Sequence, residues 1–331
     1  MPQLIDFIMK YWSDDHIFTK SIEMLRFQHY NADKNEYNFI LANNLKSGEI
    51  DGIIGLIPLS HYDPELRCFN ETWGGIWKVR DDVHNEEIGM IGMLLFDYLR
   101  QYKTHCSISM SPLANKLHAI MKYKMGVMNQ HFIINPTMRT FNVAVVPDDY
   151  VQIIPASSRS ISRLTPIRDL ESVAYQSLKC SYHPVKSIVY LINRFLRHPL
   201  YKYSFYGAYN NDHDLLAIFV TRKIEINGSK VIRIVDVLGA LENLGSLRKA
   251  FIDILEREKY EYVDFMNYGI PLDLLRELGF DLLDPFSNII IPNYFEPFYK
   301  KNIVIDCAIK SPHNCVIFKA DSDQDRPSVI G

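Results

Sequence analysis

The sequence predicts an α/β protein made of two copies of one unit in tandem. Three observations carry this prediction. The chain has 331 residues, about twice the ~150 of an ordinary domain. Strand-like and helix-like runs follow the same order in both halves. Two spacings also repeat: Gly89 to Cys106 and Gly245 to Tyr262 are both 17 positions, and Gly89 to Gly126 and Gly245 to Gly279 are 37 and 34. Order and spacing together are the mark of a duplicated unit.

In the first half, residues 15–30 carry Ile17, Phe18, Ile22, Leu25 and Phe27 at near-helical intervals. Strands are expected over Tyr37–Ala42, over Ile50–Leu59, which is apolar enough to be buried on both faces, and over Glu71–Val79. A polar loop, Arg80–Glu87, precedes a helix from Gly89 to Tyr102. A strand (Cys106–Met110), a helix (Leu113–Lys124), Gly126 and a strand (Gln130–Ile134) complete the half.

The second half opens with helical patterns over Arg168–Leu178 and Ile188–Leu196. Strands follow over Lys202–Ala208 and Leu215–Arg222. Asn227-Gly228 signals a two-residue hairpin into Lys230–Leu238. A loop leads to a helix over Gly245–Glu258, then a strand (Tyr262–Met266), a helix (Leu272–Leu278), Gly279 and a strand (Ile289–Ile291). Gly126 and Gly279 each stand where a helix would end on a left-handed residue. Pro- and Ser-rich residues 147–166 read as the linker, and the tail after Phe318 as polar and irregular.

Composition narrows the function. The net charge is -3 and basic residues are scattered, which disfavours a nucleic-acid partner. The start lacks the form of a secretory signal, and no apolar run is long enough to span a membrane, so a cytoplasmic location with no membrane association is expected. Five cysteines with no C-x-x-C pair fit reduced thiols, and the eleven histidines show no ligand spacing, so no metal is expected.

The strand-loop-helix Ile76–Gly92 has a form that can hold an anion, because a glycine lets the backbone approach and the first helical turn offers free N–H groups. A plain structural turn has the same form. The corner resembles that of the GNAT superfamily of N-acyltransferases, in which the loop after the fourth strand and the next helix bind the pyrophosphate of coenzyme A. Here Glu86 stands where Arg or Gln is usual and Ile91 where Gly or Ala is usual. The segment Arg163–Asp169 also resembles the opening of such domains, and the loop Glu242–Leu247 is a degenerate second copy.

Three further segments resemble the double-domain sugar N-acyltransferases of O-antigen and capsule (lipopolysaccharide) synthesis: residues 77–82; residues 262–265 with 291–298; and residues 319–327. The resemblance implies a tandem pair of GNAT-like domains, each a mixed, mostly antiparallel sheet flanked by helices. Residues 1–150 would form the acyl-CoA-binding domain and 160–310 the second domain, with a tail, 311–331, that reaches the sugar site. It implies direct attack of the amine of a nucleotide-linked amino-deoxy sugar, a dTDP-sugar favoured, on an acyl-CoA thioester carrying a 3-hydroxybutanoyl or acetyl group. A duplicated unit supplies its own pairing, so a monomer is expected.

On this resemblance coenzyme A would lie against Val79, Arg80, Ile88, Gly89, Met90, Ile91 and Gly92. Asp82, Glu296 and Asp323 are the candidate catalytic groups, with Glu71, His84 and Asp325 as further candidate bases. Tyr268, Asn293, Tyr294, Asp321, Asp325 and Arg326 would bind the sugar nucleotide. Asp321, Asp323 and Asp325 would share one face of an extended tail, or else be solvated. Tyr294, Phe295 and Phe298 would close a core or stack on a base. The oxyanion donor would be a backbone N–H near Val79 or Arg80. Two other readings stay open: an aminoacyl or peptidoglycan-type transferase of the same double fold, and a non-catalytic protein that binds coenzyme A or a nucleotide sugar.

Overall fold

The computed structural model describes residues 2–82, 85–152, 162–173, 178 and 180–327. Its strands build two main sheets. The first contains β1 (Phe39–Asn43), β2 (Ile50–Pro58), β3 (Glu71–Val79), β4 (Thr104–Ile108) and β5 (Lys124–Val127). The second contains β6 (Asn129–Ile134), β7 (Arg163–Ile167), β8 (Tyr203–Tyr209), β9 (Leu215–Ile226), β10 (Ser229–Gly239), β11 (Tyr262–Tyr268) and β12 (Asp281–Leu282). Late in the chain, β13 (Asp306–Lys310) returns to the first sheet and β14 (Ile317–Phe318) joins the second. The spatial orders are β1-β2-β3-β4-β13-β5 and β12-β6-β11-β10-β9-β8-β7, with β14 on β11. The fold is mixed α/β with mostly antiparallel sheets flanked by helices, as the sequence predicts.

The helices are α1 (Pro2–Tyr11), α2 (Ile17–Lys20), α3 (Ile22–His29), α4 (Asn85–Asp97), α5 (Pro112–Ile120), α6 (Ile188–Leu191, continued by a π turn to Leu196), α7 (Arg248–Glu258) and α8 (Leu272–Glu277). Among the described residues each sheet has one parallel pair, joined over a helix: β3 to β4 by α4, and β10 to β11 by α7. Both pairs hold for three residues, Glu71–Trp73 on Thr104–Cys106 and Ile232–Ile234 on Val263–Phe265, and then part. A bulge marks each parting. Opposite Gly55 of β2, strand β3 has two residues, Gly75 and Ile76, and between Val220 and Thr221 of β9, strand β10 inserts Val235. A bulge bends and over-twists its strand, which turns it off its parallel neighbour. The duplicated order therefore extends to the same irregularity in both halves.

Each half also lends a strand. β6, at the end of the first half's pattern, lies between β11 and β12 of the second sheet. β13 lies between β4 and β5 of the first. A division of the chain at 150 thus cuts through both sheets. One apolar cluster spans them, joining Trp73, Cys106 and Ile108 to Ile218, Val220, Val235 and Met266, with Ile188 and Leu191 of α6 between.

The Asn227-Gly228 hairpin forms as expected, with φ of 51° and 71° at its two central residues. Other local expectations shift. The helix over 15–30 breaks at Ser21, whose side chain accepts from Met24 N–H and caps α3. Gly279 ends its helix at φ 101°, but Gly126 does not: it lies in β5, and Lys122, at φ 62°, takes the left-handed position. Gly126 is needed for another reason, since a Cβ there would lie 2.4 Å from the Tyr268 ring. Residues 163–167, expected to lead into a helix at Arg168, are strand β7; residues 174–177 lie outside the described ones. Ile289–Ile291 makes only a single bridge, Ile290 to Val145. The described part of the tail is not a solvated one: Ala320, Asp321, Ser322 and Asp325 are all buried.

Candidate functional site

The parted parallel strands leave two wedges, and the chain treats them differently. In the second wedge, β14 pairs with the far end of β11 (Phe318 on Asn267, Ile317 on Tyr268), and Ala320 N–H donates to the bulged Val235 carbonyl at 2.9 Å. Lys186 bridges Asp236 and Asp321 there at 2.8 and 2.6 Å, with all three side chains fully buried. Burial pushes Asp236 up to about 7, against the pull of Lys186. The tail's own backbone closes this wedge.

In the first wedge, β3 from Gly74 onward has no partner strand among the described residues on its β4 side. The Gly74 carbonyl accepts from Ser322 Oγ. A Cβ on Gly74 would lie 2.7 Å from Ser107 Oγ, so glycine allows the two strands this approach. His118 Nε2 lies 3.1 Å from Ser107 Oγ, and its Nδ1 2.7 Å from the Ala114 carbonyl. His105 Nδ1 lies 3.0 Å from the Tyr123 hydroxyl. Burial lowers His105 to about 3, so the ring is neutral at pH 7.

The proposed diphosphate corner is partly spoken for. Val79 pairs with Gly52, and Arg80 N–H donates to the Asp51 carbonyl, so the Arg80 amide is not a free oxyanion donor. The Arg80 guanidinium holds Asp82 (2.5 and 2.8 Å) and Glu49 (2.8 Å). The Tyr11 hydroxyl also donates to Asp82. The hydrogen bonds from Arg80 hold the Asp82 carboxyl down at about 2, which makes it a weak proton acceptor. Helix α4 begins at Asn85, so Ile88–Gly92 is helix rather than loop. Gly89 and Met90 face solvent, and Gly89 has open space where a Cβ would stand. Ile91 packs on Gly52 of β2, and Gly92 faces the Trp77 ring. His84 lies outside the described residues.

Five of the residues expected to form the site do meet. Asn293, Tyr294, Glu296, Asp325 and Arg326 line one small polar cavity of about 40 Å³, together with Tyr201, Arg222, Arg233 and Lys319. Arg222 donates to Asp325 at 2.9 Å and stacks on Tyr201, whose hydroxyl donates to Glu296 at 2.6 Å. Tyr203 donates to the other Asp325 oxygen at 2.8 Å. Burial works to raise Asp325, but Arg222 and Arg233 outweigh it and leave the carboxyl below its ordinary range. Arg233 forks onto Asp264 at 2.7–3.1 Å and donates to the Asn293 carbonyl. The Tyr294 hydroxyl lies 3.3 Å from Ser109 Oγ, just past the end of β4. That contact joins the cavity to the mouth of the first wedge.

The other expected residues stand apart. Asp321, Asp323 and Asp325 do not share a face. Ser322 sits at φ 59° and turns the tail, so the three carboxylates go to Lys186, Arg326 and Arg222 in turn. Arg326 also reaches His16 at 3.0 Å. Tyr268 packs over Gly126, Phe298 stacks on Phe295, which belongs to a core cluster and also lines the cavity, and Glu71 is taken by His183 at 2.6 Å. Sequence reasoning missed Arg222, Arg233 and Lys319. Their signal is a single charge within an apolar strand run, as in Val231–Val235 and Val316–Ala320, because a charge buried there must have a partner or a purpose.

Among the described residues no helix is long and apolar enough to cross a membrane. No family model matches the chain, and no curated protein does. Three solved structures give the measure of its likeness to known proteins. A GCN5-related N-acetyltransferase from Anabaena variabilis is 10% identical with a TM-score of 0.45, over 83% of this chain and 62% of that one. The N-myristoyltransferase of Saccharomyces cerevisiae, solved with myristoyl-CoA and inhibitors, is 8% identical with a TM-score of 0.43, over 93% and 78%. A conserved Enterococcus faecalis protein of unknown function, described as a probable N-acyltransferase, is 12% identical with a TM-score of 0.42, over 78% and 59%. The chain therefore spans about three fifths of the Anabaena and Enterococcus proteins that it resembles.

Proposed function

We propose that this protein is a tandem GNAT-like N-acyltransferase that moves an acyl group from coenzyme A to an amine. The observation that carries the reading is the bulge at Gly75–Ile76, where β3 parts from β4 and leaves one edge of a strand unpaired beside a polar cavity. An extended pantetheine arm can add to such an edge as a strand would, with its amides on the free backbone groups. The thioester would then reach the strand ends near Ser109, where Tyr294 links the wedge to the cavity. Holding amine and thioester together there supplies much of the rate.

Coenzyme A is assigned to the first wedge because residues 317–321 fill the second. Its diphosphate would lie toward the start of α4, near Gly89. The acceptor amine would enter the cavity of Asn293, Tyr294, Glu296, Asp325 and Arg326. A nucleotide-linked amino sugar, a dTDP-sugar by preference, and a 3-hydroxybutanoyl or acetyl donor are the finer form of the proposal. The mix of carboxylates and guanidinium groups in the cavity suits sugar hydroxyls and a phosphate. The closed Arg80–Asp82–Glu49 corner favours one alternative, a protein that binds coenzyme A or a nucleotide sugar without turnover.

A thiol-release assay with acetyl- and hydroxybutanoyl-CoA against dTDP- and UDP-linked amino sugars tests this. Amine-dependent release supports the transferase. Saturable binding of coenzyme A with no release from any pair replaces it with the binding protein.

A further inference from the structure

Among the described residues, Lys319 is the charged group of the cavity that has no oppositely charged partner; its ammonium meets only the face of the Tyr294 ring. It follows directly on β14, in a run whose neighbours are all buried, and is itself 3% exposed. Its side chain leaves the core for the cavity and ends 5.0 Å from the centre of the Tyr294 ring. Among the described residues its Nζ has no hydrogen-bond acceptor and no carboxylate within ion-pair distance.

The carboxylates nearby are engaged by other cations. Asp264, on β11, holds the Arg233 fork, and Asp325, on the tail, holds Arg222. Glu296, which lines the cavity, accepts from Tyr201 and lies 3.9 Å from Arg222. Arg222 from β9 and Arg233 from β10 face the same cavity, and Arg326 lines it from the tail. An ammonium confined with two guanidinium groups and little water gives up its proton readily, and a lysine so placed offers a lone pair. Burial first, then Arg233 and Arg222, bring Lys319 down to about 7, against the opposing pull of Asp325 and Asp264. Neither Asp82 nor Asp325 can compete for a proton, because each carboxyl is held below its ordinary range.

Resting on the acyl-transfer reading above, we infer that Lys319 is the proton acceptor of this site: its neutral amine takes the proton that the acceptor nitrogen must lose as it attacks the thioester. The acceptor nitrogen's lone pair forms the new C–N bond, and the C–S bond breaks with its electron pair leaving on sulfur. The surplus proton on nitrogen passes to Lys319 Nζ. The thiolate then takes that proton from Lys319 to leave as the free thiol, and the lysine is neutral again.

The test uses the full chain with Lys319→Met and Lys319→Arg, the first lacking a base and the second permanently charged. With an active acyl-CoA and amine pair, kcat is expected to fall 10²- to 10⁴-fold in both, with the KM for acyl-CoA unchanged. The rise of wild-type kcat with pH near 7 should vanish, and small primary amines in solution should restore part of the Met variant's rate. A Met variant that keeps kcat and that rise overturns the inference and leaves the transferase reading standing. A folded wild type that releases no thiol with any amine overturns the reading, and the inference falls with it. If the variants do not fold, carbamoylation of wild-type Lys319 by cyanate decides: a midpoint near pH 7 supports the inference, and one near 10 overturns it.

Discussion

The backbone N–H of Ala320 donates to the carbonyl of Val235 at 2.9 Å, and Val235 is the bulged residue of β10. The bulge turns this carbonyl out of the sheet ladder, and the tail returns to satisfy it. One step further, Asp321 meets Lys186, and Ser322 Oγ donates to the Gly74 carbonyl of the other sheet. The tail is thus a tie between the two bulged strands.

Deleting the chain from Asp321 should therefore cost stability before it affects any substrate. It removes one of two carboxylates from a fully buried lysine and the Gly74 contact together. Loss of a buried pair's partner costs about 3–5 kcal/mol. Urea unfolding of the truncated chain should show the midpoint falling accordingly. An unchanged midpoint would return the tail to the role of a dispensable appendage.

The Lys186–Asp236–Asp321 cluster should leave a signature in pH. Asp236 is raised from 3.8 to about 7 in the folded chain, so between those values the folded state holds a proton that the unfolded state has lost. Stability from this group therefore falls as pH rises from about 4 to about 7, by up to about 1.4 kcal/mol per pH unit. Asp236→Asn cannot ionise and should flatten that part of the stability profile. An identical slope in wild type and variant would show that another group carries it.

Lys319 has the opposite trend. Its folded value is lowered from 10.5 to about 7, so the cost of burying it charged is full below pH 7 and fades as pH rises toward 10.5. Lys319→Met should unfold at a higher temperature than wild type at pH 6, with the difference shrinking by pH 9.5. A variant less stable than wild type at pH 6 would mean that the ammonium has a partner in solution.

Gly89→Glu separates cofactor binding from fold. Gly89 lies in the second turn of α4 with open space around it, so a side chain fits, and replacing glycine in a helix gains about 0.5–1 kcal/mol. Thermal unfolding should be unchanged or slightly raised. Affinity for coenzyme A, read by calorimetry, should fall at least tenfold by repulsion of the diphosphate. Unaltered affinity would move the cofactor away from this corner.

The two helix ends near Lys122 and Gly279 provide a matched pair. Both residues are left-handed, at 62° and 101°, yet only the second is glycine. Lys122→Gly should stabilise by about 1 kcal/mol through relief of backbone strain. Gly279→Ala should destabilise by more, since its Cβ would meet Arg248 Cβ at 2.4 Å. Opposite signs in a thermal shift assay are the expected result.

What was legible in the chain follows from the range of the forces involved. The run Glu71–Val79 matches β3 end to end, and Asn227-Gly228 turned as expected, because both depend on residues within a few positions. Gly126 was misread as a cap because its constraint comes from Tyr268, far away in sequence. The alternate Asp residues of the tail, expected as a row or as solvated, are neither, because Ser322 bends the chain so that they meet Lys186, Arg222 and the tail's own Arg326.

By itself the sequence determined the mixed α/β class and the doubled order of elements, since periodicity and turn chemistry are local properties; the family resemblance added five residues that line one cavity. Only the tertiary structure decided that β6 and β13 exchange sheets, that the tail fills one wedge and not the other, and that Lys319 reaches the cavity between two arginines. These depend on which backbone groups and charges remain unsatisfied once both sheets have formed, and that sum exists only in the folded chain.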